Sequence, residues 1–172
     1  MINEVNLVLP IYKYSFPQLI TKQVCKEYRK SFPQSNTSNV QAWHSEYNTH
    51  ETTNVFDPLI DVTLNKCYEI SRNYYNTDIT NECKFVINSL WLAMYKQNDY
   101  TRIHHHFPFQ FAACYYVDVQ DKCSPITFNK TTSIQPENGM LLIWMGIIPH
   151  MVAQTKKKRT CICMNIGMDK IL

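Results

Sequence analysis

The chain has 172 residues, of which 45% are hydrophobic, 13% aromatic and 18% charged, with a formal net charge of +3. That fits one domain with one core and excludes a disordered, collagenous or low-complexity chain. So small a charge argues against a nucleic-acid backbone as the main partner. No stretch approaches the roughly 20 apolar residues of a membrane span, and the opening residues, with an early acid at Glu4 and no long apolar core, do not read as a signal peptide.

In chain order, Val5 to Tyr14 alternates loosely and reads as a strand, with Pro10 placing it at a sheet edge. Ser15-Phe16-Pro17-Gln18 has the form of a capping box with proline in the first turn. A helix is expected to follow to about Lys30, burying Ile20, Val24 and Tyr28, and Pro33 is consistent with its end. Residues 33–56 are polar and rich in Ser, Asn and Thr, which predicts a long loop. Asp57-Pro58 opens a second helix to about Tyr75, with Leu59, Val62, Cys67 and Ile70 on its apolar side.

From residue 84 the period changes to two. Phe85–Tyr95 and Phe109–Val119 read as long strands, and shorter ones follow at Pro125–Phe128, Thr132–Gln135, Met140–Trp144, His150–Ala153 and Thr160–Ile166. Glu137-Asn138-Gly139 marks a tight turn. Two helices followed by short strands predict helices backing a β-sandwich or barrel in a single domain over 1–172, with helical support over 15–76 and a β core over 84–168. Oligomeric state is not legible, though an edge strand near the N-terminus could pair with a second subunit to give a homodimer.

The seven cysteines, at 25, 67, 83, 114, 123, 161 and 163, include no CxxC pair. They read as reduced, mostly packed thiols of a cytosol-like compartment, and no zinc site is expected from them. Cys161 and Cys163 share one face of their strand. Lys156-Lys157-Lys158 reads as a solvated hairpin loop.

The histidines carry more chemistry. Four of the chain's six histidines are His104, His105, His106 and His150. On extended backbone, residues two apart point the same way, so His104 and His106 can face one point while His105 faces away. His105 with His150 is the alternative pair. Asp99 and Asp118 could add a carboxylate, but neither has the expected spacing. Trp43, His44 and His50 lie in the long polar loop, where they could touch a substrate or simply pack. Arg159 opens a strand nine positions after His150, where a buried guanidinium could hold a carboxylate bidentately.

Residues 98–106, 112–117, 136–144, 149–152 and 159–165, with Ala42-Trp43-His44-Ser45 upstream, together resemble the 2-oxoglutarate- and Fe(II)-dependent dioxygenases, specifically a group common in phage and marine bacteria. The resemblance implies a jelly roll, or double-stranded β-helix. It implies Fe(II) held by His104, His106 and His150, and 2-oxoglutarate clamped by Arg159, with Cys161 beside it and Tyr95 or Tyr115 adding a hydrogen bond. The implied activity is hydroxylation of a peptide, nucleobase or small metabolite by O2, with release of succinate and CO2, in the cytoplasm (of a host cell if the source is viral). Two positions depart from the family pattern. His106 stands where the broad superfamily has an Asp, and Cys161 stands where a Ser usually follows the Arg. A thiol is the weaker donor, and His106 leaves the site one charge more positive. A three-His dioxygenase that does not use 2-oxoglutarate and a non-enzymatic, virion-associated jelly roll are the two other readings.

Overall fold

The structure is a computed structural model that describes residues 9–32, 39–75 and 81–171. Eleven strands and three helices occur among these residues. In chain order they are β1 (Ile11–Ser15), α1 (Lys22–Ser31), β2 (Val40–Gln41), β3 (Trp43–His44), α2 (Thr49–Thr52), α3 (Asp57–Tyr75), β4 (Cys83–Tyr95) and β5 (Tyr100–His104). The rest of the chain supplies β6 (Phe111–Val119), β7 (Ile126–Phe128), β8 (Thr132–Ile134), β9 (Met140–Met145), β10 (His150–Val152) and β11 (Arg159–Lys170).

The strands form two antiparallel sheets, one of six strands in the order β1-β9-β6-β11-β4-β3 and one of five in the order β2-β5-β10-β7-β8. This is the double-stranded β-helix expected from the sequence. The parity of side chains along the larger sheet explains its near-continuous apolar strands. Leu90, Leu92, Ala113, Tyr115, Leu141, Ile143, Ile162 and Met164 share one core with Cys25 and Tyr28 of α1, Phe56, and Leu59, Cys67 and Ile70 of α3. Their odd-even neighbours Trp91, Ala93, Tyr95, Ala112, Cys114, Tyr116, Leu142, Trp144 and Cys161 face the other way, toward Val40, Ile126, Phe128 and Val152 of the smaller sheet. A sheet covered on both faces has no solvent side to require alternating polar residues.

Several expectations hold in detail. The second helix begins and ends at the expected residues. β1 lies at a sheet edge, although residues 5–8 of the expected strand fall outside the described part. Gly139 turns the chain into β9 at φ 79°, in the left-handed region that glycine adopts without strain.

Two expectations are corrected. Ser15 does not cap α1. Gln18 has φ 64°, which no helix accommodates, and the helix starts after Thr21, whose hydroxyl accepts from the Val24 amide at 3.4 Å. Residues 15–17 are instead tied to the β9 turn: the Phe16 amide donates to the Gly139 carbonyl at 2.8 Å. A Cβ on Gly139 would stand 2.8 Å from Pro17 Cα. The polar stretch 33–56 is also not a structureless loop. Residues 33–38 lie outside the described part, but β2 then joins the smaller sheet beside β5, and β3 joins the larger one beside β4. One short segment thus stitches the two sheets together at one end. β5 itself went unforeseen as a strand. No helix among the described residues is long and apolar enough to cross a membrane.

Candidate functional site

β5 and β10 pair with His150 opposite His104. The chain leaves β5 at His104, and the His106 amide donates to the Gly146 carbonyl at 2.6 Å, which draws His106 back over the sheet. His104, His106 and His150 therefore converge, their ligand-type nitrogens all within 4.8 Å of one another. His106 Nε2 and His150 Nε2 are 3.3 Å apart. A metal–imidazole bond is about 2.1 Å, so two such nitrogens at roughly 90–105° around one ion stand about 3.0–3.3 Å apart.

Backbone carbonyls orient two of the rings. His104 Nδ1 lies 2.9 Å from the Arg102 carbonyl, and His150 Nδ1 lies 3.2 Å from the Ile148 carbonyl. A carbonyl only accepts, so in each neutral ring Nδ1 carries the hydrogen and Nε2 keeps its lone pair. Such carbonyl partners commonly orient metal-binding histidines. Burial, reinforced by the neighbouring imidazoles, pulls His106 down to about 3 and His150 to about 2, and burial also lowers His104. Uncharged imidazoles with free lone pairs are what a cation requires. His105 is exposed and turned away, its Nδ1 accepting from the Phe107 amide at 3.2 Å.

Arg159 begins β11 beside the end of β4, and only 3% of it is exposed. Its guanidinium donates to the Ser124 carbonyl at 3.1 Å and lies 4.3 Å from the Tyr95 ring centroid and 5.9 Å from that of Tyr116. No carboxylate among the described residues pairs with it. Asp118 binds Lys22 at 2.6 Å, and Asp99 accepts from the Lys96 amide at 2.8 Å, so neither supplies the missing charge.

One cavity of ≈ 40 Å³ between the sheets joins these parts; its lining includes His104, His106, His150, Arg159, Tyr95, Tyr116 and Cys161. Four buried donors on that lining have no partner: Trp91 Nε1, Trp144 Nε1, Tyr116 Oη and Arg159 Nε. Buried polar groups are normally satisfied. Such orphans, each able to donate, offer hydrogen bonds to an anion with several acceptor oxygens. A larger open groove of ≈ 940 Å³ runs beside α1, lined by Lys22, Lys26, Arg29, Lys30 and Trp43 among others, and carries none of the three histidines. The convergence of ligating groups, rather than the size of the space, makes the smaller cavity the candidate site.

One sequence expectation fails here and another needs revising. Tyr115 does not face the cavity: it points to the helical side, and its hydroxyl donates to the Phe16 carbonyl at 2.8 Å. Its neighbour Tyr116, of opposite parity, faces the cavity instead. Tyr95 lies against Arg159, but its hydroxyl is already bound to Thr101 Oγ1 at 2.6 Å. Trp43, His44 and His50 do not line the cavity. His44 is fully buried against Tyr47, and Trp43 packs under Arg29 in the groove. Sequence reasoning missed Trp91, whose inward parity on an apolar strand was readable but whose indole donor was not.

No protein-family model matches the chain, and no curated protein matches it. Solved structures do. A prolyl-4-hydroxylase from Pseudomonas putida superposes with a TM-score of 0.67 at 11% identity, covering 92% of each chain. The viral collagen prolyl hydroxylase of Paramecium bursaria Chlorella virus-1, as its 2OG complex, gives 0.59 at 13% identity over 90% of this chain and 95% of that one. An oxidoreductase of the 2OG-Fe(II) oxygenase family from Burkholderia pseudomallei gives 0.63 at 7% identity, over 91% and 84%. The chain has the fold of these enzymes.

Proposed function

We propose that the protein is an Fe(II)- and 2-oxoglutarate-dependent oxygenase that hydroxylates its substrate. The observation that carries this reading is the pairing, within one buried cavity, of three convergent neutral imidazoles with a guanidinium that has no carboxylate partner among the described residues. Both halves fit their group. The imidazole set suits a divalent transition metal and leaves coordination positions open. The unpaired Arg159, with the free donors of Tyr116 and the two tryptophans, suits a dicarboxylate.

His104, His106 and His150 would hold Fe(II), where O2 would be the oxidant: two electrons would come from decarboxylation of 2-oxoglutarate to succinate and CO2, with one oxygen atom leaving in succinate, and two from the substrate C–H bond, which would take the other atom. The chain's own part is to position and to shield. Arg159 fixes one end of the cosubstrate by charge and by its planar fork of donors. Tyr95 holds the guanidinium in place from one face. Trp144 packs edge-on against His150 and, with Phe128, keeps water from the ring. His106 in place of a carboxylate leaves the metal site more positive by one charge, which a doubly negative cosubstrate offsets.

The rim favours an apolar or peptide substrate over a nucleic-acid chain. Phe107 and Ile147 are both exposed and directly follow the residues joined by the His106–Gly146 bond. Exposed large apolar side chains grouped beside a reactive site mark a contact surface. With prolyl hydroxylases among the structural neighbours, proline-containing peptides are the first class to screen.

Anaerobic titration of the metal-free protein with Fe(II) and 2-oxoglutarate tests the assignment through the visible charge-transfer band of the chelate. A band that Arg159→Met abolishes supports it. Fe(II) uptake without the band points to a three-His dioxygenase acting without 2-oxoglutarate, and no uptake leaves a jelly roll that is not an enzyme.

A further inference from the structure

A second group of metal-type ligands lies in the same cavity. Cys114, Cys161 and Cys163 bring their sulfurs within 4.8 Å of one another, and all three contribute to the cavity lining. The sequence did not announce it because Cys114 comes from a different strand. Cys163 pairs directly with Cys114 across the β11–β6 ladder, and Cys161 lies two residues away on the same face. The Cys163 and Cys114 sulfurs are 3.8 Å apart. With a Zn–S bond of about 2.3 Å, tetrahedrally placed thiolates stand about 3.8 Å from one another. The wider pairs need only small side-chain adjustments to reach that spacing.

One further feature points to an ion rather than to packed thiols. Arg159, two residues before Cys161, lines the same cavity as a cation lacking a carboxylate partner among the described residues, with its Nε unsatisfied. Three thiolates around a divalent ion carry one net negative charge, which that guanidinium offsets. A monovalent ion such as Cu(I) would leave two negative charges against one. Soft thiolates prefer Cu(I) and Zn among biological ions, and the charge balance selects the divalent one.

We propose that Cys114, Cys161 and Cys163 form a binding site for a thiophilic divalent cation of the zinc type, and that its occupancy excludes the dicarboxylate from Arg159. Binding releases thiol protons to solvent and leaves the fourth coordination position open to the cavity. The second half of the proposal rests on the 2-oxoglutarate reading above; the first half does not. Zinc would then act as an inhibitor at a site separate from the histidines.

The experiment is a titration of the reduced, metal-free full chain with Cd(II), an optical stand-in for Zn(II), following the ultraviolet thiolate-to-cadmium charge-transfer absorption. The expected result is a band with the amplitude of one cadmium on three thiolates per chain. It should be lost in Cys163→Ser and Cys114→Ser, kept in His150→Ala, and bleached by added Zn(II). Circular dichroism of the serine variants separates loss of ligands from loss of fold, and Cys114→Ala provides a second variant of the same ligand. No cysteine-dependent band in the reduced native chain overturns the site. A thiolate signature with Cu(I) and none with Cd(II) overturns the divalent assignment. Added Cd(II) should abolish 2-oxoglutarate binding, and unchanged binding overturns the exclusion. If the native protein never binds 2-oxoglutarate, the proposed function fails while the cadmium band still reports on the thiols.

Discussion

Replacing Arg159 by Met tests the anion pocket most directly, because the two states of the cavity respond in opposite ways. In the unliganded protein the guanidinium is buried without a carboxylate, held by one carbonyl at 3.1 Å and by the face of Tyr95. A buried charge replaced by an apolar side chain of similar volume is often neutral or stabilising. The unliganded variant should therefore melt within a few degrees of the native chain. With ligand the arithmetic reverses. Breaking a buried charge pair costs about 3–5 kcal/mol, which at 1.4 kcal/mol per decade weakens 2-oxoglutarate by about 100- to 4000-fold. At a concentration 100 times its Kd a ligand stabilises by about 2.7 kcal/mol. For a domain of this length that raises Tm by about 5–11 °C. In the variant at the same concentration the gain falls to about 0.4 kcal/mol or less, or about 1–2 °C. The assay is oxygen-free thermal unfolding with Fe(II), with and without 2-oxoglutarate. A variant whose ligand-induced shift equals the native one refutes the clamp. A variant that is already unfolded without ligand refutes the view that Arg159 is there for binding rather than for stability.

Three other substitutions probe the rest of the cavity. His150→Ala should lower Fe(II) affinity by more than the about 10- to 100-fold typical of losing an outer partner of a metal ligand; oxygen-free calorimetry reads this, and native-like uptake would remove His150 from the ligand set. Tyr116→Phe deletes a hydroxyl that has no partner in the unliganded protein, so unliganded stability should hold, while 2-oxoglutarate loses one hydrogen bond to a charged group, about 1.5–3 kcal/mol; equal affinity for native and variant in a competition titration would leave Tyr116 without a role. Gly146→Ala puts a Cβ 2.1 Å from the Phe109 carbonyl oxygen, and since the Gly146 carbonyl holds the His106 amide, the 106–109 segment must move; weaker Fe(II) binding is expected together with a lower Tm, and a lower Tm at unchanged Fe(II) affinity would show that His106 is not held through this contact.

What could be read ahead of the structure follows from the range of the interaction that decides each feature. The limits of α3 were legible because Asp57-Pro58 and a run of apolar i, i+3 and i+4 positions are local signals. That His104 and His106 face one side was legible because the parity of extended backbone is local too, whereas the Gly146 carbonyl that holds His106 over the sheet lies far along the chain. The start of α1 was not, since Ser15 satisfies a short-range capping pattern that loses to a long-range contact, the Phe16–Gly139 bond across more than a hundred residues. β2 and β3 were invisible for a related reason: polar residues such as Gln41 and His44 extend only because β5 and β4 are there to pair with them. The tyrosines show the limit most plainly. Parity alone says that Tyr115 and Tyr116 face opposite ways, and only the register of β6 against β9 and β11, closed by α1 and α3 on one side and the smaller sheet on the other, decides which of them meets Arg159. The same register brings Cys114 to Cys163. The candidate cavity is thus assembled from local parity, which a sequence states, and from strand pairing, which it states only through residues far apart in the chain.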